Sequence, residues 1–281
     1  MKEVIAIGAL GGSGTRAIAQ VLIDAGVYMG DYLNKSNDNL VFTRLFKDPF
    51  FYEHATKEII KERLSVFESY MERDHLSLKN AKTLINASFS NPTVKNTVKN
   101  RLKFHGRVLH KLFSRIQNRA IWGWKEPNTQ IYIQEIDEYF NNLKYLHVIR
   151  HGLDMAFSRN KTQLSNWGYR YGIVTKEGST EQEISFKQLE YWIQSTKDAI
   201  DKGRNMRGGF LLVNHSRFGA EPETQINRMM NFIGMEIEPR KLQSLYQIPK
   251  IPSTSGRFRK HDLGIFDQAQ IDFVKDMGFD V

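Results

Sequence analysis

The sequence predicts an α/β fold: a parallel central sheet flanked by helices, with a helical insertion near residues 40–119, all in one domain over residues 1–281. Three observations predict it. Short apolar, β-branched runs recur that suit strands buried on both faces. Stretches with apolar residues at helical spacing separate them. The first run passes through a glycine loop directly into a helix.

Val4-Ile5-Ala6-Ile7 is the first strand, and Gly8 to Gly14, with four glycines in seven residues, reads as a loop. Thr15 to Ala25 places Ile18, Val21, Leu22 and Ala25 at helical spacing, and Gly26 stops that helix. Val27-Tyr28-Met29 reads as the start of a second strand. From about Asp31 to Arg119 the pattern is helical. A long helix is expected over Tyr52–Met71 and a basic amphipathic one over Val98–Ile116. Ala120–Trp124 is strand-like, Ile131–Phe140 a helix and Leu143–Ile149 a strand. A helix opens over Leu153–Arg159, and a long one covers Glu183–Ile200. Phe210–Val213 is a buried strand, and Thr224–Ile233 a helix ended by Gly234.

A chain of 281 residues buries roughly three quarters of its unfolded surface. The absence of cysteine excludes a disulfide framework, a thiolate metal site and a cysteine nucleophile. With 41% hydrophobic and 25% charged residues, wholesale disorder is excluded. No apolar run approaches the roughly 20 residues that span a bilayer. The apolar start dissolves into glycines, unlike a secretion signal, so a cytoplasmic location is expected. The net charge is +9, and between His75 and Trp124 there are ten Lys or Arg and no Asp or Glu. Such a sector suits either an anionic partner or a solvated helical face.

Three motifs carry chemistry. In Gly11-Gly12-Ser13-Gly14-Thr15-Arg16, small residues let backbone N–H groups approach an oxyanion, and the helix N-terminus adds orphan donors and a positive partial charge. The Gly-Lys-Ser/Thr of a Walker A loop is absent, as is the acidic residue of a dinucleotide fingerprint. A tight strand-to-helix turn without a ligand is the plain alternative. Lys125, in Trp124-Lys125-Glu126-Pro127, follows a strand and lies on the ligand-binding rim if that strand neighbours the first. Otherwise it is a surface lysine. Arg150 ends a strand and Ser158 lies eight residues on, so a guanidinium fork and a hydroxyl can hold a second phosphate. The alternative is an arginine that caps sheet carbonyls, and His151 is read as structural.

Together these motifs resemble the PAPS-dependent sulfotransferases (PAPS is 3′-phosphoadenosine 5′-phosphosulfate), closer to the carbohydrate and tyrosylprotein branches than to the cytosolic ones. Phe210–Asn214 followed by Asn231-Phe232-Ile233-Gly234, and the basic run Ser255–Lys260, agree with this. The resemblance covers residues 1–30 and 120–281, not the helical region between. It implies a P-loop nucleotide-kinase-like sulfotransferase fold and transfer of a sulfuryl group from PAPS to a hydroxyl or amine, leaving 3′,5′-ADP and using no metal.

It also implies site residues. Gly11, Gly12, Ser13, Gly14, Thr15 and Arg16 would bind the 5′-phosphosulfate, and Arg150 with Ser158 the 3′-phosphate. Arg257 and Lys260 would fold over the nucleotide, and Lys125 would serve near the sulfonate. Gly12 departs from the family, which usually has Lys or Arg there. The general base is a carboxylate after the second strand, where Asp31 and Asp38 compete, and at least one of them merely caps a helix. The expected partners are the nucleotide and an unidentified carbohydrate or small-molecule acceptor, which the basic sector allows to be anionic. No membrane span is expected, and nucleic acid is disfavoured. Two rivals stand beside this reading: a P-loop small-molecule kinase, and a non-catalytic polyanion or nucleic-acid binder.

Overall fold

The structure, a computed structural model, describes residues 3–72, 76–90, 97–113 and 120–281. In chain order, β1 (Glu3–Ala9) and α1 (Thr15–Ala25) are followed by five insertion helices. These are α2 (Leu40–Phe46), α3 (Pro49–His54), α4 (Lys57–Glu72), α5 (Leu78–Ser90) and α6 (Val98–Phe113). Then come β2 (Ile121–Lys125), α7 (Ile133–Tyr139), β3 (Leu143–Ile149), α8 (Gly152–Ala156), α9 (Thr162–Trp167) and α10 (Glu181–Gly203). The chain closes with β4 (Phe210–Asn214), α11 (His215–Ala220), α12 (Pro222–Ile233), α13 (Pro239–Leu245) and α14 (Gln268–Asp276).

The sheet has the order β2-β1-β3-β4, and every pairing is parallel, as expected for strands joined by helical crossovers. Its two faces are both covered, which is why the strands read as continuous apolar runs. Successive residues of β1 alternate: Val4 and Ala6 join one core, and Ile5, Ile7 and Ala9 the other. The second core is packed by Ile18, Val21 and Leu22 of α1 and by Ile226 and Met230 of α12.

The insertion is fixed to the first face by aromatics. Phe42 of α2 stacks on Trp124 of β2 at 5.4 Å, and Phe67 of α4 meets the same indole edge-on at 5.2 Å.

Four expectations differ in detail. Val27–Met29 forms a single bridge, Tyr28 to Trp122, rather than a strand; Gly30, at φ +101°, turns the chain away from the sheet. The helix expected over Tyr52–Met71 is two helices. Asp48 caps α3, whose first residue is Pro49, Ala55 is extended, and the Thr56 hydroxyl oxygen accepts from Ile59 N at 3.4 Å to start α4. The helix at Leu153–Arg159 is only Gly152–Ala156, so Ser158 lies beyond its end. The helix over Val98–Ile116 runs to Phe113, and residues 114–119 lie outside the described residues.

Candidate functional site

The glycine loop is the centre of the site. Gly12 and Gly14 have φ of +98° and +84°, in the region that only glycine enters cheaply. Space demands glycine at 14 as well: a Cβ there would lie 2.0 Å from His215 Nε2. Because Gly14 caps α1 without a side chain, no side-chain oxygen occupies the helix N-terminus, whose positive partial charge faces the loop. Ser13 is buried in the loop and its hydroxyl has no partner among the described residues. A buried orphan donor beside an uncapped helix start fits an anionic group.

Lys125 and Arg150 stand on opposite sides of this loop, because β2 and β3 flank β1. Ile7 of β1 is in register with Lys125, which sets the lysine at the carboxyl end of the sheet. Its ammonium donates to the Ser36 carbonyl at 2.7 Å and pairs with Asp38 Oδ1; Lys125 is 2% exposed and Asp38 20%. The turn that carries Asp38 is built locally. Asn34 Oδ1 accepts from Ser36 N and Asp38 N, Asn34 Nδ2 donates to Asp38 Oδ2 at 2.7 Å, and Asn39 N donates to Lys125 O at 2.8 Å. A cavity of about 320 Å³ is lined by Gly11, Gly12, Gly14, Thr15, Arg16, Asp38, Lys47, Lys125, Glu126 and Gln163.

Beneath it, Glu126 is buried and accepts from Asn128 N at 2.6 Å, with Lys47 Nζ at 3.9 Å; burial pushes its carboxyl above the usual range. Gln163 donates to Asn128 Oδ1 at 3.2 Å, and its own Oε1 is buried and unpartnered.

On the other side, Arg150 donates to Gly12 O at 3.2 Å and to Thr254 Oγ1 at 2.7 Å, while its Nε has no partner. Burial, and then the nearby Arg257, lower its pKa from the ordinary arginine value. The C-terminal loop is held by Asp154, whose carboxylate accepts from Gly256 N at 3.0 Å and Phe258 N at 3.3 Å. Arg257 donates to Thr254 O at 3.2 Å, and Lys260, at the end of that turn, is exposed. Ser158 Oγ accepts from Asn160 N at 3.2 Å and lines a second cavity, about 590 Å³, with Arg159, Lys161 and His261.

Thus the loop, Lys125 and Asp38 share one cavity, and Arg150 joins the loop to the C-terminal segment. Asp31 is held elsewhere, accepting from Tyr70 Oη at 3.1 Å and pairing with Lys111 at 3.2 Å. Sequence reasoning missed His215, Lys47, Gln163, Asp154 and Thr254. Of these, His215 carried a signal: it follows β4 directly, on the same rim as Lys125 and Arg150. Burial, followed by the Arg150 charge, lowers its imidazole to about 4.

A family model described as the sulfotransferase family matches residues 5–239. Two solved structures are similar over nearly their full length. The sulfotransferase domain from the Synechococcus PCC 7002 olefin synthase is 14% identical with a TM-score of 0.52, covering 100% of this chain and 97% of that one. The sulfotransferase domain from the curacin biosynthetic pathway is 12% identical with a TM-score of 0.51, covering 100% and 99%. At these identities the likeness shows the fold. No curated protein sequence matches.

Proposed function

The chain belongs to the sulfotransferase family, and on that premise we propose that it moves a sulfuryl group from PAPS to a hydroxyl or amine of a carbohydrate or small molecule, releasing 3′,5′-ADP. One observation carries this reading: a glycine loop with an uncapped helix start, flanked by Lys125 and Arg16 on one side and Arg150 on the other. Cations on both sides of the loop support a nucleotide phosphorylated at both ends of its ribose.

In this reading Gly11 to Arg16 and the N-terminus of α1 hold the 5′-phosphate. Arg150 and Ser158 hold the 3′-phosphate, and Arg257 and Lys260 lie over the nucleotide. The acceptor oxygen or nitrogen forms a bond to sulfur, and the bond from sulfur to the 5′-phosphate oxygen breaks. The electron pair leaves with that oxygen, and the acceptor proton passes to a carboxylate. Asp38 is the base, supported by its place in the same cavity as Lys125 and the loop. Lys125 meets the charge that grows on the bridging oxygen, where Gly12 offers no cation. Asp38 and Lys125 hold each other, so substrate entry must separate them in part.

A thermal-shift comparison tests the reading. At a hundredfold excess over its dissociation constant a bound nucleotide stabilises by about 2.7 kcal/mol. 3′,5′-ADP should therefore raise Tm clearly more than 5′-ADP, 5′-AMP or ATP. Equal shifts for 3′,5′-ADP and 5′-ADP would remove the second phosphate site. A larger, magnesium-dependent shift with ATP would favour a kinase.

A further inference from the structure

The outer faces of α5 and α6 turn large apolar side chains to solvent. On α6, Val98, Leu102, Leu109 and Phe113 fall on one stripe at helical spacing, and all are half-exposed or more, Phe113 at 84%. On α5, Leu78 and Phe89 share one side, at 79% and 59%. The two stripes meet, because the Phe89 ring lies 5.4 Å from His105 of α6 and the Arg101 guanidinium sits 5.3 Å from the Phe89 centroid. The fold does not need these residues, since Leu84, Ala87, Phe104 and Val108 fill the inner faces.

Charge surrounds the stripes. Lys82, Lys99 and Lys103 are exposed beside them, and the stretch from His75 to Trp124 has no acid to offset its ten Lys and Arg. Two other lysines of the stretch are paired, Lys79 with Glu62 at 3.0 Å and the buried Lys111 with Asp31 at 3.2 Å. Single exposed apolar residues need no explanation, but two joined apolar stripes framed by lysine do.

We infer that this face docks on an anionic lipid surface, with its Leu, Val and Phe side chains at the acyl boundary and its lysines among the phosphate headgroups. Complementarity selects the occupant. A second copy would set one basic sector against another. A nucleic acid would answer the lysines but leave the apolar stripe wet. An anionic bilayer satisfies both. Among the described residues no helix is long and apolar enough to cross a membrane, so the contact lies in the plane of the surface.

The test is sedimentation of the full chain with vesicles of phosphatidylcholine alone or with one third phosphatidylglycerol. The chain should bind the anionic vesicles, bind neutral ones far less, and release as salt rises. Each lysine near such a surface is worth roughly fivefold, so a Lys82→Ala, Lys99→Ala, Lys103→Ala variant should bind on the order of a hundredfold more weakly. Leu102→Ser with Leu109→Ser should lose at least about tenfold while Tm and far-UV CD stay unchanged, since both leucines face outward. Absent binding, equal binding to neutral and anionic vesicles, or full binding by the serine variant would overturn the inference. So would a dimer in solution that the serine variant dissolves without any vesicle binding.

Discussion

Removing the charge of Asp38 and of Lys125, singly and together, separates what the pair does for the fold from what it does for the reaction. In Asp38→Asn the buried Lys125 keeps the Ser36 carbonyl at 2.7 Å and at best a neutral amide oxygen in place of the carboxylate. Breaking a buried ion pair from one side costs about 3–5 kcal/mol when both groups are dry. Asp38 is one-fifth exposed and the carbonyl remains, so a loss of about 2–3 kcal/mol is expected, or a Tm fall of roughly 3–5 °C. Lys125→Met leaves Asp38 with the Asn34 amide at 2.7 Å and some water, and should cost about 1–2 kcal/mol. The double variant has no stranded charge, so it should recover most of the stability.

Transfer should behave differently. Loss of a general base lowers kcat by roughly 10²–10⁴ and loss of a charge-stabilising donor by roughly 10²–10³. The double variant should therefore be stable and nearly inactive, while still binding 3′,5′-ADP. Chemical denaturation gives the stability cycle, and sulfuryl transfer from PAPS to a panel of hydroxyl and amine acceptors gives the rates. A double variant with normal turnover would refute both catalytic roles. Strictly additive stabilities would refute the coupling.

Three further outcomes are expected. Arg150→Ala should weaken 3′,5′-ADP by about tenfold to a hundredfold in calorimetry, with only partial rescue by Lys, because a charge-assisted, two-pronged contact is worth about 1.5–3 kcal/mol and needs the planar fork. Asp154→Asn withdraws the charged acceptor from Gly256 N and Phe258 N. The variant should bind 3′,5′-ADP roughly tenfold more weakly and be cut faster by trypsin at Arg257 and Arg259; unchanged affinity and cleavage would free the loop from this clamp. His215 and His147, both held down to about 4 by burial, accept protons near 6.5 when unfolded. Stability should be full above that value and fall as pH drops toward 4, by about 2 kcal/mol per histidine at pH 5. His215→Gln should flatten the slope measured by urea titration, and an unaltered slope would mean that His215 is not a buried neutral group.

Much of the scaffold was legible because its signals are local. β3 runs over the expected Leu143–Ile149 and α1 over the expected Thr15–Ala25. An apolar run buried on both faces and a glycine-stopped amphipathic helix leave little choice. Tyr28 was misread because a β-like triplet was judged without Gly30, whose positive φ redirects the chain. In the site, Lys125 and Arg150 could be found because strand ends define the rim. Lys47, Gln163 and Thr254 could not, because only tertiary folding brings the end of α2, the start of α9 and the C-terminal loop to the glycine loop. The choice between Asp31 and Asp38 was equally hidden. Both follow the same glycine, and it takes Tyr70 and Lys111, 39 and 80 residues on in the insertion, to hold Asp31 where it is.

The stacking of Phe42 and Phe67 on Trp124 has a mechanical consequence. Trp124 is covalently next to Lys125, and Phe42 lies four residues after Asp38 and five before Lys47. The insertion and Lys125 therefore share one spring. A push on the insertion, from whatever touches its outer helices, reaches Asp38, Lys47 and Lys125 together through this aromatic joint. β1 and β3, which carry the glycine loop and Arg150, are the two central strands, each paired on both sides. Thinning the joint, for example with Phe42→Leu, should loosen the distance across which the group is handed over well before it melts the sheet.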